Sequence, residues 1–430
     1  MKKTTFIFFS AMGLLPIGLV SFDKLDPFMV VCVGLYSWGV VYGFRKAFVS
    51  KDDFAIPSRV VLLIILTLVV SYVFMIINHH KYITWIIYWC LGYATFWVVI
   101  SEVKRASDIE LLLRIIGIMA SIGMIWALFF FLVPSVLRGP LRDAGMGSFR
   151  AYEDGIPRIF TPVMHYTALG ILYVACRAIV LRRRLSLRHY LFGLFALLEL
   201  LVVFSIRTDI IDIGLLLIGI FFLSRRKNKI RTFITFTAAG VLLMGSLYFL
   251  LPARFVNYVS ERTTSVMDLS AFDLSGALTP GVLTYGNSEY WTFYWRIREV
   301  FYALDFVDTP QKMMFGDMGE KYDFEGVDDE IAPHNSYFGI FFLFGYLGVF
   351  VFASFLLYFS RQIWHLLKKF QDSKEYYLAV FLAVSWVFML ILNFSGGFLY
   401  SPDGCLIYAT IAGLSSVMSS KRFMRSPHPA

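Results

Sequence analysis

The stretch Pro333–Phe359 reads PHNSYFGIFFLFGYLGVFVFASFLLYF, and between His334 and Arg361 the chain carries no charged side chain. From Ser336 onward this is an apolar run that reaches about 36 Å as a helix, at 1.5 Å of rise per residue. The hydrocarbon core of a bilayer is about 30 Å thick, so the run is long enough to cross it. Asn335 or Ser336 stands where a helix cap is wanted, because a short polar side chain can accept from the first free backbone amides. Gly345 and Gly348 fall on nearly one helical face, which lets a neighbouring helix approach closely. The stretch therefore predicts a capped membrane-spanning helix that starts at residue 336.

The rest of the chain is built in the same way. Its 430 residues are 58% hydrophobic and only 16% charged, with a mean hydropathy of +0.69. A soluble domain of this size has no interior large enough for that much apolar surface, which makes lipid the expected solvent. Aromatic residues, 18% of the chain, suit lipid-facing surfaces and interfacial belts. The net charge of +9 does not point to nucleic acid, because the basic residues sit in short clusters between apolar runs. Cys32, Cys90, Cys176 and Cys405 are scattered singly, with neither metal-ligand spacing nor a disulfide framework. The sequence calls for no metal and no cofactor. Met1-Lys2-Lys3 and the apolar Phe6–Val20 have the form of a signal peptide. No small-residue cleavage site follows, and the segment reads as an uncleaved first span.

Apolar stretches of spanning length lie at about 4–22, 27–44, 60–77, 82–100, 109–133, 159–181, 189–205, 209–223, 232–251, 336–359, 377–394 and 404–419. Alternate connections are basic: Arg45/Lys46/Lys51/Arg59, Lys104/Arg105, Arg177/Arg182/Arg183/Arg184/Arg188, Arg225/Arg226/Lys227/Lys229/Arg231 and Lys368/Lys369/Lys374. Lys2/Lys3 and Lys421/Arg422 fall on the same side, so the positive-inside rule puts both termini in the cytoplasm. The expected fold is an all-α integral membrane protein of about twelve transmembrane helices. Residues 1–251 hold the first nine helices, 252–335 form a large, partly helical outer loop before the tenth, and 336–430 hold the last three with a cytoplasmic tail.

The segment 252–335 is far longer than an ordinary connection, and such loops are commonly functional. It contains Tyr290-Trp291-Thr292-Phe293-Tyr294-Trp295, then Ile297, Val300, Phe301 and Leu304 at helical spacing, which predicts an amphipathic helix on the outer surface. Asp323, Glu325, Asp328, Asp329 and Glu330 crowd in just before the next span. No internal repeat links the two halves.

No phosphate loop, dinucleotide fingerprint or metal-ligand pair occurs. The remaining candidates are polar residues at the outer ends of spans. Arg207 and Asp209 follow an apolar run in Phe204-Ser205-Ile206-Arg207-Thr208-Asp209, and Asp212 lies one turn on, with Glu199 in the preceding span as a partner. A tight turn in which Arg and Asp neutralise each other explains this group equally well. An arginine on the outer face, however, runs against the positive-inside trend, and ionisable groups at membrane depth commonly mark a binding path. Arg158 and His165, seven apart, share a face if the segment is helical, although Pro162 bends it. A structural role for His165 is the simpler reading. Arg296 and Arg298 sit on the loop helix, and His79 and His80 in a short solvated turn.

Together these pieces resemble a known family. His334-Asn335, then nine residues and Gly345-Tyr346-Leu347-Gly348, placed after a long outer loop, is similar to the O-antigen polymerase and O-antigen ligase superfamily. Arg158-Ile159-Phe160, Ser205-Ile206-Arg207-Thr208, and Arg296–Leu304 followed by Met314-Phe315-Gly316-Asp317-Met318-Gly319 resemble its other stretches. The resemblance covers roughly residues 150–360; it departs at Ile206, where a Ser before the Arg is more usual, and at the single Gly316.

The resemblance implies a glycosyltransferase at the outer face of the bacterial cytoplasmic membrane. It would take its glycan from undecaprenyl diphosphate and need no metal. A chain-length regulator and a flippase of the same pathway would be its partners, besides membrane lipid. Under this reading His334 and Arg207 are catalytic. Arg158, Arg296, Arg298 and Asn335 then hold the diphosphate or the glycan. The residue types suit the task. Guanidinium is a fork matched to phosphate oxygens, and imidazole titrates near neutrality, as a base for a sugar hydroxyl must. The loop carries more acids than bases, which favours a polymerase extending lipid-linked repeats over a ligase acting on a phosphate-rich lipid A core. A transporter or flippase of similar span number is the alternative from another class, although those folds tend to have repeats and short outer loops. The threading has a direct test in spheroplasts. A cysteine placed at Asp273 should react with a membrane-impermeant maleimide and one placed at Lys227 should not; the reverse pattern would overturn the orientation.

Overall fold

A computed structural model of the protein describes residues 83–132, 148–151, 157–160, 163–181, 186–198, 207–224, 307–316, 335–395 and 402–420, with a few isolated residues besides. In chain order these form α1 (Ile83–Glu102), α2 (Ala106–Leu132), β1 (Ser148–Ala151), β2 (Pro157–Phe160), α3 (Val163–Ile179), α4 (Leu187–Leu198), α5 (Arg207–Leu223), α6 (Pro310–Phe315), α7 (Ser336–Lys369), α8 (Tyr376–Ser395) and α9 (Pro402–Ser419). Every helix except α6 falls on an apolar stretch read from the sequence. α7 and α8 are long and apolar enough to cross a membrane. The stretches at 4–22 and 232–251, nearly all of 27–44 and 60–77 and most of 252–335 lie outside the described residues.

Local chemistry sets the boundaries. Between α1 and α2 the chain turns at Val103–Arg105, where the Asp108 carboxylate accepts from the Lys104 and Arg105 amides, both at 3.1 Å. β1 and β2 form an antiparallel ribbon in which Arg150 stands opposite Arg158. The condition for Arg158 and His165 to share a helical face is therefore not met: Arg158 lies in β2, and His165 is buried in α3.

The helices share one apolar core in which Phe342, Phe359, Phe388, Leu91, Leu112 and Ile115 are almost wholly enclosed. α9 lies along α1 in parallel, with Gly92 against Cys405 and Gly413 against Val99. α2 packs on α3, α8 lies against α3, α5, α7 and α9, and α6 sits on α7.

Hydrogen bonds fix which helix ends lie together. Tyr376 Oη donates to Leu223 O at 3.1 Å, and Tyr377 Oη donates to Glu110, so the end of α5 and the starts of α8 and α2 meet. Lys369 Nζ donates to Met418 O and Ser419 O at 3.3 and 3.1 Å, which joins the ends of α7 and α9. Arg177, near the end of α3, lies in the field of Glu110 and Tyr377. One end of the bundle thus gathers Lys368, Lys369, Lys374, Arg114 and Arg177, the sign pattern that the sequence assigns to the cytoplasmic side. α7 runs ten residues past the apolar stretch ending at Phe359. Its last turns are polar and find partners, as when Gln362 Nε2 donates to Ser419 Oγ at 3.1 Å.

Midway, α7 breaks. Gly345 has φ 60° and ψ −161°, which divides the helix into two arms. Gly316, just after α6, has φ 89°. The two breaks interlock. A Cβ on Gly345 would overlap the Met314 carbonyl group, and one on Gly316 would overlap Leu343 O. Only glycine suits this backbone-to-backbone contact and the positive φ. The expected small-residue face is thereby revised: Gly345 receives the end of α6, and Gly348 faces Phe344 of its own helix across the kink, where a Cβ added at 348 would overlap Phe344 Cβ. Gly345→Ala should destabilise the fold by more than about 1–3 kcal/mol, since a backbone clash adds to the strain of φ. Gly214→Ala, whose added methyl meets nothing within 4 Å, should unfold near the parent temperature. Thermal unfolding in detergent checks this, and equal midpoints for the two variants would refute the interlock.

Candidate functional site

The end of the bundle away from the basic cluster collects the sequence candidates. α5 finishes at the basic end, so Arg207, its first residue, lies at the opposite end. α3 likewise runs toward Arg177 at the basic end, which leaves Arg158 in β2, just before α3, with Arg207. The start of α7 and the end of α8 meet there too, through Asn335 and Phe394.

Asn335 is the N-cap of α7, with φ −81° and ψ 114°. Its Oδ1 accepts from the Tyr337 and Phe338 amides at 3.0 and 3.3 Å, and so satisfies two donors that the first helical turn leaves open. Its Nδ2 donates to Phe394 O at 3.3 Å, one of the last carbonyls of α8 and equally without a partner inside its helix. A single amide therefore closes the ends of two helices. Tyr337 adds a second tie, donating from Oη to Leu390 O at 2.8 Å, and its ring lies 4.7 Å from that of Phe394.

Beneath this pair Asn393 is fully buried. Its Nδ2 donates to Tyr408 Oη of α9, and Asn393 also lies beside the Tyr337 hydroxyl. Among the described residues its Oδ1 has no hydrogen-bond partner. Trp386 closes the layer below, with Nε1 donating to Ser360 Oγ at 2.8 Å and its ring edge-on to Tyr408 at 5.3 Å.

Of the sequence candidates, the structure brings Arg158, Arg207 and Asn335 to one end. Asp212 is buried one turn into α5 and His165 is buried in α3. His334, Arg296, Arg298, Glu199, His79 and His80 lie outside the described residues. Among the described residues no three of His, Cys, Asp and Glu gather as metal ligands would. Three residues escaped the sequence reading. Arg150 became visible only through strand pairing, and Asn393 and Tyr408 sit in spans that read as uniformly apolar. A lone Asn within a run such as Met389-Leu390-Ile391-Leu392-Asn393-Phe394 was the available signal for the second group. No family model and no curated protein matches the chain.

The double cap has a measurable consequence. Asn335→Ala removes acceptor and donor and should lower stability by about 1–2 kcal/mol. Asn335→Asp keeps the acceptor but sets a carboxylate against Phe394 O, so its stability should lie between the two. Unfolding midpoints in one detergent order the three proteins, and an unchanged midpoint in Asn335→Ala would exclude the double cap.

Proposed function

We propose that the protein is a metal-independent glycosyltransferase of the bacterial cytoplasmic membrane, acting at its outer face as a polymerase of O-antigen type. The observation that supports this reading most directly is that Arg158, Arg207 and Asn335 all lie at one end of the bundle, with the basic residues at the other. If the basic end is cytoplasmic, these residues face outward, where a lipid-linked donor and a lipid-linked acceptor repeat meet.

The chemistry follows from the residue types. A hydroxyl oxygen of the acceptor sugar attacks the anomeric carbon of the donor glycan. The bond from that carbon to the diphosphate oxygen breaks, and undecaprenyl diphosphate leaves with the electron pair. His334, next in the chain to the capping Asn335, takes the hydroxyl proton, a service typically worth about 10²–10⁴-fold. Arg207 and Arg158 hold the departing charge with forked donors that stay protonated at membrane depth. Arg150, opposite Arg158 in the ribbon, joins them. Like charges directly opposite destabilise a strand pair, so a bound anion between them relieves the ribbon. Arg296, Arg298 and Asn335 contact the glycan.

Purified protein in nanodiscs, given lipid-linked single repeats without ATP or divalent metal, should build a glycan ladder. Arg207→Ala should abolish the ladder. Arg207→Lys should remain severely impaired, because a point ammonium does not reproduce the fork. His334→Gln should form no product, since an amide cannot accept the proton at neutral pH. Transfer only to a supplied lipid A core would establish a ligase instead, and movement of substrate without a new glycosidic bond would establish a transporter. A full ladder from Arg207→Ala would remove the proposed clamp.

A further inference from the structure

At the basic end, α2, α3 and α8 meet around the Glu110 carboxylate. Glu110 of α2 accepts from Tyr377 Oη of α8, and Arg177 of α3 lies in the field of both. Arg177 turns back by one helical turn. Its Nη1 donates to Tyr173 Oη at 3.1 Å, and its guanidinium lies 5.7 Å from the centre of the Tyr173 ring. α2 runs away from the basic end and α3 runs toward it, so Arg114, one turn past Glu110, comes level with Tyr173. Tyr173 lies in the field of both arginines. So does His189 of α4, whose Nδ1 is 2.6 Å from Ser186 Oγ.

Two guanidinium groups on neighbouring helices thus converge on one spot. Among the described residues neither has a carboxylate within ion-pair distance. Glu110, one turn before Arg114, is placed to answer it but bonds to Tyr377 instead. Like charges held together beside a low-dielectric layer repel. A phosphate between them replaces that repulsion with charge-assisted hydrogen bonds, and the guanidinium fork matches its oxygens.

The surface beyond Arg114 suits an acyl chain. Ile118, Ile122 and Ile125 follow at helical spacing on the same face of α2, and all three are exposed. The rise from Arg114 to Ile125 is about 16 Å, close to one leaflet's share of a hydrocarbon core about 30 Å thick. A free phosphate makes no use of such a stripe. A zwitterionic head group would bring its own ammonium toward two arginines. We infer that Arg114 and Arg177 form a site for the phosphate of an anionic phospholipid in the leaflet at the basic end, with an acyl chain along Ile118, Ile122 and Ile125. Basic pockets between spanning helices recognise lipid head groups in this way. The site lies at the opposite end from Arg158, Arg207 and Asn335 and does not depend on the proposed function.

The test uses the full-length protein, purified and delipidated in a neutral detergent. It is titrated with dioleoyl phosphatidylglycerol or dioleoyl phosphatidylethanolamine, and bound lipid is counted by native mass spectrometry. Phosphatidylglycerol should bind about tenfold more tightly, and Arg114→Gln and Arg177→Gln should each weaken it about tenfold through the loss of a charge-assisted contact. Ile122→Gln should also weaken it. Lys368→Gln removes the same charge from the same end at an exposed side chain set over the Trp364 ring, and should leave the affinity unchanged. Inorganic phosphate in large excess should not displace the lipid.

Arg177→Gln also deletes the bond to Tyr173, so Arg114→Gln, a change at an exposed side chain, is the decisive variant. Its unfolding midpoint in lipid-free detergent should match the parent's. Unchanged affinity in Arg114→Gln would overturn the site, and so would an equal loss in Lys368→Gln or equal binding of the two lipids. Displacement by inorganic phosphate, or full affinity in Ile122→Gln, would overturn the lipid as occupant and leave a free-phosphate site.

Discussion

One amide holds together the end of the bundle where the candidates gather. Asn335 gives its oxygen to the opening turn of α7 and its NH₂ to the closing turn of α8. Helix ends are where a bundle in an apolar medium is most exposed to unsatisfied backbone groups, because neither lipid nor an apolar core offers them partners. Closing two ends with one side chain removes three such groups at once. It also couples their positions, since neither helix can slide along its axis without breaking a bond to Asn335. Tyr337, two residues on, makes the coupling two-point, so that rotation about the cap is resisted as well.

That rigid corner sits next to a joint. The Gly345 break detaches the first arm of α7 from the long second arm, and the tail of α6 occupies the notch. The second arm is anchored at its far end by Lys369 on the α9 carbonyls and by Gln362 on Ser416 and Ser419. The first arm is therefore tied to α8 above and to α6 at the break, rather than to its own continuation. Gly345 lies against the Met313 and Met314 backbone and Gly316 against the Leu343 and Phe344 backbone, so the segment ending at residue 316 and the first arm of α7 share one fixed contact.

The apolar runs were legible because a spanning helix has a length set by the bilayer and a composition set by lipid. The helices at 83–102, 106–132 and 376–395 begin and end within a few residues of the stretches marked by hydropathy alone. The end that gathers basic residues was legible from charge clusters for the same reason. Asn335 was readable as a cap because capping is local chemistry. What escaped was everything made by pairing across the fold. The extended chain at Arg158 is paired with a partner strand, to which hydropathy is blind. The interlock of Gly316 and Gly345 joins residues that a simple small-residue pattern assigns to different partners. Asn393 and Tyr408 are single polar residues in apolar runs, and only the approach of α8 to α9 gives them a meaning.

Arg207 stands in a position that its own backbone disfavours. As the first residue of α5 it lies at the positive end of the helix dipole, where a cation is disfavoured by about 0.3–1 kcal/mol. Asp209 and Asp212 follow in the next turn and a half, and Asp212 is buried. The ribbon before α3 repeats the conflict, with Arg150 set directly against Arg158. Two separate elements at one end thus each hold positive charge in a position that their own backbone disfavours. A stability argument alone would replace these arginines. Under the proposed function, a substrate that brought two phosphates to this end would reverse the sign of both terms, because helix amides, dipole and guanidinium groups would act on the same negative charge. On that proposal the binding energy would be greatest when the charge is concentrated on the leaving diphosphate, which is the condition for it to lower the barrier rather than merely to hold the donor.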